Sequence, residues 1–270
     1  MLENPRSPRV RAVAKLSKRS ARTERGLFLL EGPQAVREAL GYSPDAVVEL
    51  FATSAGWDRH IDLHGAARAN GIEVEFVTDD VLGAMADTVT PQGVIAVARQ
   101  TPVSVADIFA ERPRLVAICE EIRDPGNLGT IIRAADAAGA DAVILTGRTV
   151  DPYNPKVVRS TTGSLFHLPI AVGADLDDVV RRAHEAGLSI LAADVKGDDL
   201  LAARAEGVLS GPTGWLFGNE AHGLEDSALE LADHVLRLPI FGKAESLNLA
   251  TAASVCLYES AFTQRAGDAG

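Results

Sequence analysis

The sequence predicts an α/β protein, with strands buried on both faces and helices as covers. Three observations carry this. Short runs rich in Val, Ile, Leu and Phe recur between helical stretches along almost all of the 270 residues. Several runs, such as LVAIC at 115–119, are apolar throughout rather than alternating, as strands covered on both faces are. A composition of 47% hydrophobic and 23% charged residues supports a substantial core and excludes a disordered chain.

In chain order, strand-like runs lie at 26–32, 46–53, 72–78 and 93–99. Helical candidates fall between them at Gln34–Leu40, Arg59–Asn70 and Asp80–Asp87. Residues 101–114 read as a connector, with Pro102 and Pro113 framing a short polar helix. The alternation then restarts, with strands at 115–121, 141–146, 167–172, 189–194, 214–218 and 234–240. Helices are expected at 127–138, 154–164, 175–187, 225–232 and 246–263. The expected organisation is a basic arm (1–25), a smaller α/β domain (26–100), a linker (101–113) and a second domain (114–270).

Two helices carry a clear pattern. Leu128, Ile131, Ile132, Ala135 and Ala138 share one face at the 3.6 period, with Arg133 and Asp136 pointing away and Gly139 as a stop. In the last helix Leu249, Ala252, Ala253, Cys256 and Leu257 follow the same spacing. That face is built largely of small residues, so a second element could approach closely.

The formal net charge is −11, yet it is unevenly spread. Residues 1–26 hold eight basic and two acidic residues, and the other 244 hold 18 basic and 35 acidic. A basic arm on an acidic body can capture a polyanion, although a frayed, solvated terminus would look the same. Cys119 and Cys256 stand far apart outside any CxxC pair, which argues against a disulfide scaffold or a zinc knuckle and suits a reducing cytoplasm. No apolar run approaches the ~18 residues of a membrane span, and no apolar stretch follows the basic start as in a secretory signal. The chain has no GxGxxG and no Walker A loop, so a nicotinamide-dependent dehydrogenase or a P-loop enzyme lacks its main warrant.

Three segments could carry chemistry. DPGNLGTIIRAADAAGA (124–140) turns into a helix, where Asn127 could be a plain N-cap, but a cap does not explain Arg133. GWLFGNEAHGL (214–224) is an apolar strand ending where ligands of parallel sheets bind; Glu220 could equally complement a helix dipole, and His222 could be a surface histidine. RLPIFGKAESLNLATAASVCLYE (237–259) passes through a Pro/Gly loop, where Ser246 could be an N-cap.

In this order the segments resemble the three motifs of the SpoU/TrmH family of RNA ribose methyltransferases, of the SPOUT class. Asn127, Gly129 and Arg133 match the first motif. Gly218, Glu220 and Gly223 match the second, and Ser246, Leu247 and Asn248 the third. The likeness covers about residues 114–262, and NPKVVRSTTGSLFHLPI (154–170) looks like the family's intermediate loop and helix. More weakly, 26–100, chiefly FLLEGPQAVREAL (28–40), resembles the family's N-terminal substrate-recognition domain.

The resemblance implies a parallel sheet with a deep trefoil knot, S-adenosylmethionine as cofactor, no metal, and methyl transfer to a ribose 2′-OH. It implies a cofactor pocket lined by Leu216, Phe217, Gly218, Leu238, Pro239, Ile240, Leu247 and Asn248, of which Leu216 and Ile240 also read as plain core. It assigns activation of the hydroxyl to Arg133, with Asn127, Glu220, Ser246 and Asn248 orienting the nucleotide. RNA contacts are expected from Arg11, Arg19, Arg22, Arg133 and Arg159, and a homodimer from the family. Large-subunit ribosomal RNA is favoured as substrate, with transfer RNA as the alternative; a noncatalytic RNA-binding or ribosome-assembly protein is the rival outside catalysis.

Overall fold

A computed structural model describes residues Met1–Asp268. The elements run α1 (Pro8–Ala14), α2 (Arg19–Arg25), β1 (Leu27–Glu31), α3 (Pro33–Tyr42), β2 (Val47–Ala52), α4 (Ser54–Arg59), α5 (Ile61–Ala69), β3 (Val74–Phe76), α6 (Asp79–Met85) and β4 (Val94–Arg99). They continue with α7 (Val105–Ala110), β5 (Leu115–Glu120), α8 (Pro125–Ala138), β6 (Ala142–Thr146), α9 (Pro155–Thr161), β7 (Ile170–Ala174), α10 (Leu176–Glu185) and β8 (Ser189–Asp199). The chain ends through α11 (Leu200–Ala205), β9 (Thr213–Phe217), α12 (Asp226–Leu229), β10 (His234–Arg237) and α13 (Leu249–Asp268). It divides into two compact units, Met1–Thr101 with Asp151–His167, and Pro102–Val150 with Leu168–Gly270.

The first unit is built on a four-stranded sheet in the order β1-β4-β2-β3. β4 pairs antiparallel with β1 and β2, and β3 joins β2 in parallel. The basic N-terminus is folded. Ser7 caps α1 by accepting from the Val10 N–H, and Val10, Val13 and Leu16 pack into one core cluster with Leu29, Phe51, Val81 and Ile95. Neither a loose arm nor a frayed end describes it. The charge count hid an i, i+3, i+6 apolar stripe.

Arg22 departs furthest from its expected role as an RNA contact. It is 1% exposed. Its Nε and Nη2 donate to Asp151 Oδ2 at 2.8 and 2.6 Å, and its Nη1 donates to the carbonyls of Leu16 and Ser17. Four of its five N–H donors are engaged inside the protein, and burial keeps the group from a phosphate. Arg159 is also committed within this unit: its Nη1 donates to Glu31 and Asp87, and Glu31 is itself buried. The segment 151–167, expected within the second domain, is thus clamped to the first unit by two arginine–carboxylate links. Arg11 and Arg19 are exposed.

The second unit holds a six-stranded sheet in the order β10-β8-β9-β5-β6-β7, every pair parallel. The chain winds outward through β5, β6 and β7, then returns to place β8, β9 and β10 on the opposite side of β5. The direction of winding therefore reverses between β5 and β9, and ligands of parallel sheets bind beyond the strand ends at such a point. The core is aliphatic, with Val116, Ile118, Ile144, Ile190 and Leu216 in one cluster.

The long β8 contains an interruption. β10 pairs first with Leu191 and Ala192 and then with Asp198 and Asp199, so residues 193–197 bulge out of the ladder. Gly197 permits this because a Cβ there would lie 2.4 Å from the Val235 backbone.

α13 packs on α8, β5 and β9. Its small-residue side, with Ala250, Ala253, Cys256, Leu257 and Ala261, is buried within the chain. These small residues let α13 lie against its own unit. A second copy cannot use that face. Two further helical stretches were not expected, α11 and the pair in the basic N-terminus. The helix expected at Arg59–Asn70 is α5, and α4, which precedes it, was not expected either. α12 is a single turn rather than the expected 225–232.

Candidate active site

The site forms where three loops meet at the C-terminal ends of β5, β9 and β10. The first is the start of α8. Asp124, not Asn127, is its N-cap, accepting from the Asn127 N–H at 2.8 Å. Asn127 thus sits in the first helical turn with its amide side chain released from capping.

The second loop follows β9. Gly218 is buried at its start, and a Cβ there would lie 2.5 Å from the Gly223 carbonyl carbon. Asn219 and Gly223 exchange both backbone hydrogen bonds, at 3.0 and 2.9 Å. Asn219 Oδ1 accepts from the Ala221 N–H, and its Nδ2 donates to the Glu121 carbonyl. The turn is therefore closed on itself and tied to the end of β5. This holds Glu220 at the start of α8, where its carboxylate accepts from the backbone N–H groups of Arg123 and Asp124 at 3.1 and 3.0 Å. The dipole reading of Glu220 holds, although the helix it complements is α8 rather than the one following it.

The third loop joins β10 to α13. Asn248 is the cap of α13: its Oδ1 accepts from the N–H groups of Ala250 and Thr251. Its Nδ2 donates to Asn127 Oδ1 at 3.0 Å, and Asn127 Nδ2 donates to Glu220 Oε1 at 3.3 Å. One chain of side-chain hydrogen bonds, Asn248–Asn127–Glu220, therefore joins all three loops.

Burial by itself pushes the Glu220 carboxyl up. The N–H groups of Arg123 and Asp124, with the Asn127 amide, outweigh that and hold it below its ordinary 4.5.

Beside this chain lies a cavity of about 590 Å³. Its wall comes from the bulge (Ala193–Lys196), the turn 219–223 and the loop 236–249, with Glu220, Leu238, Ile240, Ser246 and Leu247 among its lining. Ile240 is exposed rather than core. Leu216 and Phe217 are wholly buried in β9 and do not line the cavity. Gly218, Pro239 and Asn248 adjoin the cavity without lining it. The bulge residues Asp194, Val195 and Lys196 were missed. The strand was expected to end at 194, whereas β8 runs on to Asp199.

Arg133 does not line the cavity. It is exposed on α8, and among the described residues its guanidinium makes no hydrogen bond or ion pair. Six helical positions separate it from Asn127, about 9 Å along the axis and about 120° around it. The two side chains leave different faces of the helix.

The residues present suit an adenosyl sulfonium ligand. Val195, Leu238, Ile240 and Leu247 supply apolar walls, Asp194, Glu220 and Glu245 supply negative charge, and the turn at Gly218–Gly223 excludes any Cβ from one side. Among the described residues no cluster of His, Cys, Asp and Glu could hold a metal ion, and no helix is long and apolar enough to cross a membrane.

Residues 114–258, which contain all three loops, match the family described as the SpoU rRNA Methylase family. The chain belongs to the SpoU rRNA methylase family. Residues 7–96 match the MRM3-like substrate binding domain, which gives this SpoU methylase a recognition unit ahead of its catalytic one. The chain is 34% identical over 259 residues to the 23S rRNA (guanosine(2553)-2′-O)-methyltransferase RlmP of Bacillus subtilis, covering 95% of this chain and 97% of that one. It is 32% identical over 257 residues to the 23S rRNA (uridine(2479)-2′-O)-methyltransferase of Streptomyces viridochromogenes, covering 92% and 86%. Among solved structures, the AdoMet-bound rRNA methyltransferase from Sinorhizobium meliloti matches with a TM-score of 0.82 at 32% identity over 96% of both chains.

Proposed function

We propose that this SpoU methylase transfers a methyl group from S-adenosylmethionine to a ribose 2′-OH of large-subunit ribosomal RNA. The observation that carries the proposal is the Asn248–Asn127–Glu220 chain at the edge of the 590 Å³ cavity. The relatives named as 23S rRNA 2′-O-methyltransferases, matched over nearly the whole chain, supply the substrate class.

When bound, S-adenosylmethionine supplies an electrophilic methyl carbon on a sulfonium. Leu238, Ile240 and Leu247 hold its adenosyl portion, and the turn at Gly218–Gly223 closes one side. Asn127, locked by its two neighbours, keeps one amide N–H to orient the ribose hydroxyl. Ser246, exposed on the cavity wall, offers a second hydroxyl contact. Arg133 stays protonated and holds the target phosphate and hydroxyl with its planar fork, and the hydroxyl proton leaves to phosphate or water. Such positioning contributes up to roughly 7–11 kcal/mol.

The chain works as a homodimer in this reading, with the catalytic domain knotted as in its family. Because Arg133 and Asn127 leave α8 on different faces, each complete site takes Asn127 from one copy and Arg133 from the other. Val255 and Phe262 on the outer side of α13 are exposed and fit the contact. Arg11 and Arg19 meet RNA phosphates, and the cytoplasm, where ribosomes assemble, is the compartment.

The test is methyl transfer from labelled S-adenosylmethionine to unmodified 23S rRNA transcripts, with the labelled ribose mapped. Transfer to a single 2′-OH supports the proposal. Tight RNA binding with no transfer turns the protein into a noncatalytic assembly factor, and transfer to tRNA alone reassigns the substrate. S-adenosylhomocysteine should raise the melting temperature and NAD should not.

A further inference from the structure

A second cavity, of about 820 Å³, adjoins the first. Both are lined by Asn219, Glu220, Ala221, His222 and Gly223, so the closed turn is their common wall. Its remaining lining comes from the ends of β5 and β6, the start of α10 and the region of α12, including Glu120, Arg148, Leu176 and Leu231.

One residue in this lining, Glu120, carries an oxygen with no partner. Glu120 Oε2 is buried and has no hydrogen-bond partner among the described residues. Three of the other carboxylates lining this cavity are engaged. Glu121 accepts from Arg123 and from the Arg148 N–H, Glu220 accepts from two backbone N–H groups, and Asp175 caps α10. Burial, with Glu121, Glu225 and Asp175 nearby, pushes the Glu120 carboxyl up, so an arriving N–H donor would relieve both desolvation and repulsion. The Arg148 side chain is exposed and, among the described residues, makes no hydrogen bond.

We propose that this cavity receives the base of the target nucleotide, that Glu120 accepts a hydrogen bond from its ring N–H, and that Arg148 meets a flanking phosphate. This rests on the ribose-methylation reading above. The shared wall gives the geometry: with the base in the second cavity and the methyl donor in the first, the ribose lies at the rim beside Glu220 and Asn127. RNA-reading proteins take unstacked bases into pockets and read their Watson–Crick edge. A carboxylate there favours guanine, with N1–H, and uracil, with N3–H. Adenine N1 and cytosine N3 would present a lone pair to it. Glu120 is thus a specificity-determining residue for the class of base that carries a ring N–H.

The experiment starts from the ribose mapped on an unmodified 23S rRNA transcript. Short RNAs then carry that nucleotide with each of the four bases or with none. The intact protein should favour guanine or uracil over adenine, cytosine and the abasic ribose by at least about fivefold in kcat/KM, and the arms separate guanine from uracil. Glu120→Ala and Glu120→Gln should bring these rates to within about twofold of one another while leaving S-adenosylhomocysteine affinity unchanged. An abasic target methylated as fast as its parent, or Glu120→Ala with the original base preference, overturns the proposal. Should both variants lose S-adenosylhomocysteine binding through misfolding, the base series on the intact protein decides alone. If no rRNA ribose is methylated while S-adenosylhomocysteine still binds, the ribose-methylation reading fails and this inference fails with it. Transfer that ignores the base overturns this inference alone.

Discussion

Asn248 donates to Asn127 Oδ1 at 3.0 Å while its own Oδ1 caps α13. One side chain thus both starts the last helix and fixes the Asn127 amide. These roles are separable by substitution. Serine is a good N-cap but has no amide to reach Asn127. Asn248→Ser should keep thermal stability close to that of the parent and lower methyl transfer by an order of magnitude or more. Asn248→Ala should lower both, with about 1 kcal/mol lost with the cap. Thermal unfolding and single-turnover transfer, measured on the same preparations, check the split.

Gly218 is the position where the closed turn leaves no room. A Cβ at 218 would lie 2.5 Å from the backbone of Gly223, and neither backbone can yield without opening the wall common to both cavities. Gly218→Ala should cost about 1–3 kcal/mol of stability through overpacking. It should weaken S-adenosylhomocysteine binding at least tenfold by calorimetry. Gly242→Ala, in the loop of the same cavity but with open space around its Cβ position, should leave that affinity within about twofold, since no packing is disturbed.

Glu220 and Glu120 should respond to pH in opposite senses. The Glu220 carboxyl is held below its ordinary 4.5 by its partners. Its contribution to stability is therefore full above that value and is lost as pH falls through its depressed value. The Glu120 carboxyl is raised, so its ionised form opposes folding and stability is lost as pH rises through its raised value. Glu220→Gln should lower the melting temperature at pH 7, with the gap to the parent closing in acid. Glu120→Gln should raise it at pH 8, with that gap also closing in acid. Melting curves between pH 4 and pH 8 check both signs.

The buried Arg22 predicts a different failure from its exposed neighbours. Removing one partner of a buried pair leaves the other uncompensated and typically costs about 3–5 kcal/mol. Arg22→Ala should therefore destabilise the first unit by that order and expose 151–167 to proteolysis. Arg11→Ala and Arg19→Ala should leave stability unchanged, and each should reduce the salt dependence of RNA binding. Equal effects of all three on RNA affinity, with no loss of stability at Arg22, would remove the structural role given to it here.

The contrast between these arginines shows what the sequence could carry. The succession of elements along the chain was legible because the strands are apolar runs of period-independent pattern, as in LVAIC, and α8 because its five apolar residues share one face. The three motifs were legible only through their resemblance to the family. Charge was not legible as exposure: eight basic residues in 26 looked like a solvated arm, but burial of Arg22 depends on Asp151, which lies 129 positions away. The cap positions failed for a similar reason. Asp124 and Asn127 are both good caps by type, and only the path of the turn decides which is used. The bulge at 193–197 was invisible because a register jump is set by the neighbouring strand, β10, rather than by the residues that bulge.

Arg133 carries the last prediction, which concerns the number of chains in one site. It lies about 9 Å along α8 and about 120° around it from Asn127, outside the cavity lining of its own chain. If each site takes Asn127 from one copy and Arg133 from the other, Arg133→Ala and Asn127→Ala should each be inactive as pure proteins. Mixing them after mild dissociation should restore activity, because the hybrid dimer holds one site with both residues intact. Random exchange makes half the dimers hybrid with one good site of two, so about a quarter of parental activity is expected. Arg133→Lys should stay nearly inactive alone, since an ammonium keeps the charge and loses the fork. Mixing that restores nothing, while light scattering confirms a hybrid dimer, would place both residues in one chain's site and remove the shared-site arrangement.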